Sequence, residues 1–125
     1  MAKKKILVAE DDLLLLKSLG YYLDKQGYEV FPVSDGREAI EKIKQLDFDL
    51  IVTDLNMPFS NGMEIISLVR NELKKRTPII VLTAMGLEAT ELDAFRIGAD
   101  EFISKPFSPH VLGVRIEKLI SGNAK

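Results

Sequence analysis

The stretch Leu50–Pro58 reads LIVTDLNMP: an apolar run ends at Asp54, and the chain-breaking residues Pro58 and Gly62 follow. The aliphatic and β-branched residues before Asp54 are typical of a buried parallel strand, and proline and glycine indicate a loop after it. In open α/β sheets, ligands bind in the loops at the carboxyl ends of strands. Taken alone, the stretch leaves two interpretations open: Asp54 is a functional side chain, or it caps a turn, as aspartate commonly does.

Three further apolar runs end at polar residues in the same way. The runs are Ile6–Ala9, Ile79–Leu82 and Phe102–Ser104, and the polar residues that follow them are Glu10, Asp11 and Asp12, then Thr83, then Lys105. In a right-handed parallel sheet all four strand ends point to one edge. Carboxylates, a hydroxyl and an ammonium group therefore converge with Asp54. Charged side chains that are merely solvated at the surface have no reason to gather at one edge of the sheet. The set favours a functional site.

Strands and helices alternate strictly along the chain, five of each, with short connections. Asp11 or Asp12 caps a first helix that stops at Gly27, and Pro32 marks the second strand as an edge strand. A third helix starts at about Gly62. This pattern predicts an α/β protein with a doubly wound parallel sheet.

Length and composition predict one globular domain, residues 1–125 with a core from about 4 to 121. The 125 residues are 46% hydrophobic, which suffices for one core, and the formal charge of −2 argues against a direct nucleic-acid partner. Without cysteine there is no disulfide and no thiolate metal site. No apolar run has the length to span a membrane, and the basic run at Lys3–Lys5 is too short for a signal peptide. We expect a cytoplasmic, soluble domain with no membrane contact.

The polar strand ends and their neighbours together resemble the receiver domain of two-component response regulators, over nearly the whole chain. The matching residues are Glu10-Asp11, Asp54 with Met57-Pro58 and Gly62, Thr83-Ala84, Gly98-Ala99-Asp100 and Lys105-Pro106-Phe107. The resemblance implies a flavodoxin-like sheet with strand order 2-1-3-4-5. It also implies a phosphoacceptor switch, which takes a phosphoryl group from the phosphohistidine of a sensor histidine kinase or a histidine phosphotransfer protein.

The three carboxylates of Glu10, Asp11 and Asp54 would repel one another in one pocket unless a cation neutralised them. All are hard oxygen ligands with no histidine or cysteine among them, so we expect Mg²⁺. By resemblance, Asp54 binds the metal directly, Glu10 and Asp11 directly or through water, and Asn56 through its main-chain carbonyl. Asp12 is interpreted as a helix cap.

The same resemblance gives roles to the other polar strand ends. Asp54 would act as the nucleophile and form an acyl phosphate, while Lys105 neutralises charge on the transferred group and Thr83 donates a hydrogen bond to it. A cis bond before Pro106 would aim the ammonium group inward. Thr83 and Phe102 would form the switch, a packing change on the face of helix four, strand five and helix five. Slow hydrolysis would end the signal, so we expect no conventional turnover enzyme.

Leu13 and Leu14 exceed what the buried face of the first helix needs, and they lie beside the acidic site. A helical bundle that carries the donor histidine has to dock there. We therefore expect these two leucines to contact the partner protein.

The resemblance also bears on dimerisation. Winged-helix transcription regulators of this family often pair a basic residue on helix four with an acidic residue on helix five, and this chain has Glu91 and Val111 at the aligned positions. Glu101 and Arg115 could still pair. The usual symmetric dimer is not supported, and we expect a monomer or a weak dimer.

Two other functions compete with the switch. A phosphatase of the haloacid-dehalogenase type also uses an aspartate at a strand end, but it needs a second aspartate two residues on, where this chain has Asn56. A flavodoxin-like nucleotide or flavin binder needs a glycine-rich loop after the first strand, where this chain has acidic residues that repel phosphate. Both are disfavoured.

Overall fold

The computed structural model describes residues 2–57, 59, 61–84 and 88–122, with the side chains of 88–91 left aside. Strands and helices alternate from the first strand to the last helix. In chain order they are β1 Lys5–Ala9, α1 Leu13–Lys25, β2 Glu29–Val33, α2 Gly36–Gln45, β3 Leu50–Asp54, α3 Gly62–Ser67, β4 Ile79–Ala84, α4 Glu88–Ile97, β5 Glu101–Lys105 and α5 Pro109–Gly122.

All five strands are parallel and form one sheet in the order β2-β1-β3-β4-β5. The predicted fold class and strand order are therefore confirmed. β2 lies at one edge, where Pro32 is exposed and interrupts no interior ladder. β1 and β3 are neighbours with Ala9 opposite Thr53, so the chain leaves both strands at the same level. We call the side of the sheet where the strands end the carboxyl edge, and the side where they begin the amino edge.

Two hydrophobic layers cover the sheet because side chains on a strand alternate between its faces. Ile6 and Val8 of β1 pack with α1 and α5, whereas Leu7 and Ala9 pack with α2, α3 and α4. Every residue of β3 is buried. The strand that ends at Asp54 is thus covered on both faces, which holds the position of that carboxylate. Among the described residues no helix combines the length and apolar character needed to cross a bilayer.

The helix starts match the capping rules. Asp12 caps α1, since its carboxylate accepts hydrogen bonds from the N–H groups of Leu14 and Leu15, so the choice between Asp11 and Asp12 falls on Asp12. Asn61 and Glu64 form a reciprocal capping box at the start of α3, where the sequence analysis marked only Gly62. A Cβ atom on Gly62 would lie 2.6 Å from the carbonyl oxygen of Asp54. Any larger residue at this position would therefore collide with the backbone that carries the site.

The end of the third helix differs from the regular helix that the pattern indicates. α3 is α-helical only to Ser67, and a π-helical segment continues from Leu68 to Glu72. The π segment carries Arg70, whose side chain spans from this segment to the amino edge of the sheet. Its guanidinium group donates to Gly98 O, Lys75 O and Asp100 Oδ2 at 2.9–3.0 Å. Such π-helical turns are rare and occur mostly as single turns within α-helices.

Candidate functional site

Three carboxylates meet at the carboxyl edge, next to the β1–β3 pair. Glu10 directly follows β1, Asp54 is the last residue of β3, and the pairing of Ala9 with Thr53 brings their side chains together. Glu10 is fully buried, Asp54 is nearly so, and Asp11 is exposed. One carboxylate oxygen from each lies within 4.8 Å of the others. The structure thus brings together the three acidic residues that the sequence analysis singled out.

Lys105 reaches this cluster from the end of β5. Its Nζ lies 2.8 Å from Glu10 Oε1 and donates a hydrogen bond of 3.0 Å to Asp54 Oδ2. The Lys105–Pro106 peptide bond is cis, as expected from the resemblance. A single ammonium group therefore faces three carboxylates.

Glu10 is the most unusual group in the cluster. Its Oε2 accepts the N–H of Asp12 at 3.0 Å, whereas Oε1 lies in ion contact with Lys105 Nζ at 2.8 Å and has no hydrogen bond within the described residues. Burial raises the pKa of the Glu10 carboxyl, and the charge of Asp54 adds to this, against the lowering effect of Lys105 and the Asp12 N–H. Burial lowers the pKa of Lys105, but the contacts with Glu10 and Asp54 outweigh it, so its pKa is raised overall.

A buried carboxylate oxygen without a hydrogen bond is costly unless another ligand satisfies it. The cluster supplies only hard oxygen ligands, and its negative charge exceeds what Lys105 neutralises. These are the properties of a site for a small divalent cation such as Mg²⁺. Asn56, two residues beyond Asp54, lies in the loop after β3 and has an exposed side chain.

Thr83 and Phe102 lie on neighbouring strands. Thr83 is fully buried near the end of β4, and its hydroxyl donates to Ala84 O at 3.2 Å. Phe102 is half-buried on β5 opposite Val81, two residues before Thr83, so Thr83 and Phe102 point to the same face of the sheet. The Phe102 ring meets Phe95 of α4 edge to face, with 4.5 Å between centroids.

The surfaces expected to contact other proteins are exposed. Leu13 and Leu14 in the first turn of α1 are 68% and 81% exposed. Of the two positions aligned with the dimer pair, Val111 is partly exposed, whereas the side chain of Glu91 lies outside the described residues. Glu101 and Arg115 do form an ion pair.

One contact beside the site has no signal in the sequence. The guanidinium carbon of Arg37, in the first turn of α2, lies 4.2 Å from the ring centroid of Phe59 in the loop after β3. Phe59 has a positive φ of 73° and is largely exposed. The two residues are far apart in the chain, and no periodicity or capping rule connects them.

Comparison with known proteins decides the family. The family model described as "Response regulator receiver domain" matches residues 6–117, which is nearly the whole chain. The chain belongs to this family.

Relatives of this receiver domain include transcription regulators. "Transcriptional regulatory protein ResD" of Bacillus subtilis is 40% identical over 116 residues, which is 93% of this chain and 48% of the relative. "Transcriptional regulatory protein CrdR" of Helicobacter pylori is 36% identical over 95% of this chain and 56% of its own length. The chain thus spans about half the length of these relatives.

Solved structures agree in fold. A CheY-like receiver domain protein of Methanospirillum hungatei superposes with a TM-score of 0.91 at 27% identity, covering 97% of this chain and 96% of that one. Chemotaxis response regulator CheY4 of Vibrio cholerae gives 0.87 at 31% identity, covering 94% and 99%.

Proposed function

We propose that this receiver domain is a phosphoacceptor switch, and that Asp54 takes the phosphoryl group from a phosphohistidine on a sensor histidine kinase or a histidine phosphotransfer protein. The observation that carries the proposal is the position of Asp54. It ends a strand buried on both faces, Lys105 contacts it at 3.0 Å, and two further carboxylates lie beside it. No other aspartate in the described part of the chain combines these features.

The reaction is an in-line displacement at phosphorus. A carboxylate oxygen of Asp54 attacks the phosphorus, the P–N bond to the donor imidazole breaks, and the imidazole nitrogen takes up a proton. Lys105 is placed to neutralise charge on the phosphoryl oxygens, and Thr83 to donate its hydroxyl to one of them. Hydrolysis of the acyl phosphate later restores the carboxylate, so the domain catalyses its own modification and does not turn over a diffusible substrate.

Glu10, Asp11, Asp54 and the main-chain carbonyl of Asn56 would hold Mg²⁺ in this proposal. The unsatisfied Oε1 of Glu10 and the excess of carboxylates over ammonium groups support it. The bound ion supplies positive charge against the negative phosphoryl group. Lys105, which joins Glu10 and Asp54 here, would be free to contact the phosphoryl oxygens once those carboxylates have another cation.

The output would start at Thr83 and Phe102. Thr83 donates only to its neighbour's carbonyl at 3.2 Å, a weak contact that a phosphoryl oxygen could replace. Movement of Thr83 frees space on the face that it shares with Phe102, and Phe102 turns inward from its contact with Phe95. The altered surface is that of α4, β5 and α5.

The proposal also covers location and partners. Loading a kinase histidine requires ATP, so we place the domain in the cytoplasm. We assign no nucleic-acid contact to this domain itself; in a regulator as long as the relatives, such contacts would be made outside it. The phosphatase alternative gains no support from the site, because Asn56 stands where that chemistry needs a second aspartate.

The acceptor is tested with a small phosphodonor such as acetyl phosphate and intact-mass measurement. The wild type should gain one phosphoryl group with Mg²⁺ and much less with chelator, whereas Asp54→Asn should gain none, because an amide is not a competent nucleophile. Asp12→Asn is the matched control: it removes a neighbouring carboxylate but keeps a good helix cap, so labelling should persist. Full labelling of Asp54→Asn would refute the assignment, and rapid release of phosphate from many donors would favour a phosphatase.

The docking role of Leu14 is tested with a histidine kinase that phosphorylates the wild type. Leu14→Glu places a charge on an 81% exposed leucine and should slow transfer from the kinase without changing labelling by acetyl phosphate. Gln45→Glu on α2, across the sheet, serves as the control because it makes the same change of charge at an exposed position. Equal losses with both donors would mean that Leu14 supports the fold or the site.

A further inference from the structure

A groove of about 360 Å³ lies between α1 and the edge strand β2, away from the acidic site and from α5. Its residues combine an apolar floor with two opposite charges. They include Lys17, Gly20, Tyr21, Asp24, Val30 and Pro32. The proposed phosphotransfer uses none of them.

Gly20 leaves open space in the middle of α1. A Cβ built at this position meets nothing within 4 Å, so the single chain would accept alanine, which favours helix far more than glycine does. Gly113 of α5 shows the opposite case, since a Cβ there would lie 2.9 Å from Tyr22 Cε2. The fold explains Gly113 but gives no reason for Gly20.

The residues around Gly20 are exposed and unmatched. The Tyr21 ring is 66% exposed, and its cation contact is Lys25 of the same helix at 5.0 Å. Lys17 and Asp24 are exposed, and neither takes part in an ion pair within the described residues. They are seven residues apart, so they lie on one stripe of the helix, two turns from each other.

We propose that this groove binds a second copy of the same chain, with the two α1 helices antiparallel about a two-fold axis. The midpoint between Lys17 and Asp24 along the helix falls between Gly20 and Tyr21. An axis at that level brings Lys17 of each copy level with Asp24 of the other. It also brings each Tyr21 level with the uncovered Gly20 of the other copy.

Self-complementarity is the reason for choosing a second copy. A two-fold interface repeats every contact, so one Lys17–Asp24 match supplies two ion pairs, and a parallel arrangement would instead oppose like charges. Only one helix and one strand edge per copy contribute, so the association is weak and appears at high protein concentration. It is independent of Asp54 and differs from a dimer through α4, β5 and α5.

Sedimentation equilibrium of the unphosphorylated protein over a wide concentration range tests the interface. Lys17→Asp and Asp24→Lys should each weaken dimerisation by about tenfold or more, since each creates two repulsive contacts. The double exchange K17D/D24K should restore it to near the wild-type level. Lys44→Asp on α2 changes the net charge as Lys17→Asp does, but on the other face of the sheet, and it should have little effect on dimerisation.

Gly20 provides a second, independent test. Gly20→Ala should raise the melting temperature of dilute, monomeric protein, whereas Gly20→Leu should fill the groove and abolish dimerisation with a native circular dichroism spectrum. A wild type that stays monomeric at millimolar concentration would overturn the proposal. A dimer that ignores the charge reversals, or that the double exchange fails to restore, would overturn it equally, because the contact would then lie elsewhere.

Discussion

Each edge of the sheet has a partly buried cationic side chain in contact with carboxylates, but the two groups of charges differ in how well their hydrogen bonds are satisfied. At the amino edge, Arg70 donates to two carbonyl oxygens and to Asp100, and Asp100 Oδ2 also accepts the Ile79 N–H at 2.8 Å. At the carboxyl edge, Lys105 faces Glu10 and Asp54 with Asp11 nearby. There one buried carboxylate oxygen stays without a hydrogen bond.

The contrast separates charges that serve the fold from charges that await a ligand. An ion pair stabilises a fold most when further hydrogen bonds hold both partners in place, and Arg70, which is 18% exposed, and Asp100, which is 40% exposed, each make such bonds to the main chain. The cluster around Asp54 is less well satisfied, because its carboxylates repel one another and Oε1 of the buried Glu10 has an ion contact with Lys105 but no hydrogen bond. Such an arrangement costs stability in exchange for binding, as functional sites commonly do.

The largest stability effect should come from Arg70. Arg70→Ala leaves Asp100 and two carbonyl groups without their partner, and the side chain is only 18% exposed, so we expect a loss of about 2–3 kcal/mol in the free energy of unfolding. Urea unfolding measures it. Arg76→Ala, an exposed arginine nearby, should change stability by less than about 0.5 kcal/mol. Similar small losses in both variants would show that the amino edge is not a structural clamp.

A smaller effect of the same sign should follow from Asp100→Asn. The amide oxygen can still accept the Ile79 N–H, but the charge that pairs with Arg70 is lost, and we expect a loss of about 1–2 kcal/mol. The same change at the carboxyl edge, Asp54→Asn, should have the opposite sign in chelator. Parallel urea titrations compare the two, and a loss at both edges would remove the distinction between them.

The smallest effect is expected at Asp47, which pairs with Lys75 on the surface. The hydrogen bond from Lys75 and its charge lower the pKa of Asp47, so this pair contributes above the ordinary pKa of aspartate and is lost as the pH falls through the lowered value. Asp47→Asn should therefore shift the melting temperature slightly at pH 7 and not at all at strongly acidic pH. Added salt should reduce the shift at pH 7, and a salt-independent shift would contradict a surface pair.

Local signals predicted much of the fold, and distant contacts account for what they missed. Strand ends, the Asp12 cap and Pro32 at the edge all follow from neighbouring residues. The convergence of Glu10, Asp11 and Asp54 follows from strand ends together with the rule that parallel strands end at one edge of a sheet. The strand order rested on the family resemblance. By contrast, Arg70 contacts residues 28 and 30 positions away, which no periodicity indicates.

The character of the site was also only partly predictable. The charge of Glu10 is visible in the sequence, but its complete burial is a property of the folded chain, in which β1 lies between two neighbouring strands. The π segment after Ser67, which carries Arg70, likewise has no signal in the local sequence pattern. Each of these is a property of the folded chain as a whole.

Thermal melts of wild type and Asp54→Asn, each with Mg²⁺ and with chelator at fixed ionic strength, test most directly whether the three carboxylates form one cation site. Like charges no more than 4.8 Å apart repel by at least about 0.9 kcal/mol even at the dielectric constant of water, so Asp54→Asn should melt higher than wild type in chelator. The gain should be smaller than the full repulsion because Lys105 loses a contact. Mg²⁺ at about ten times its dissociation constant should stabilise the wild type by roughly 1.4 kcal/mol, or about 5 °C. The variant should gain much less. A lower melting temperature of Asp54→Asn in chelator, or an equal gain from Mg²⁺, would contradict the account.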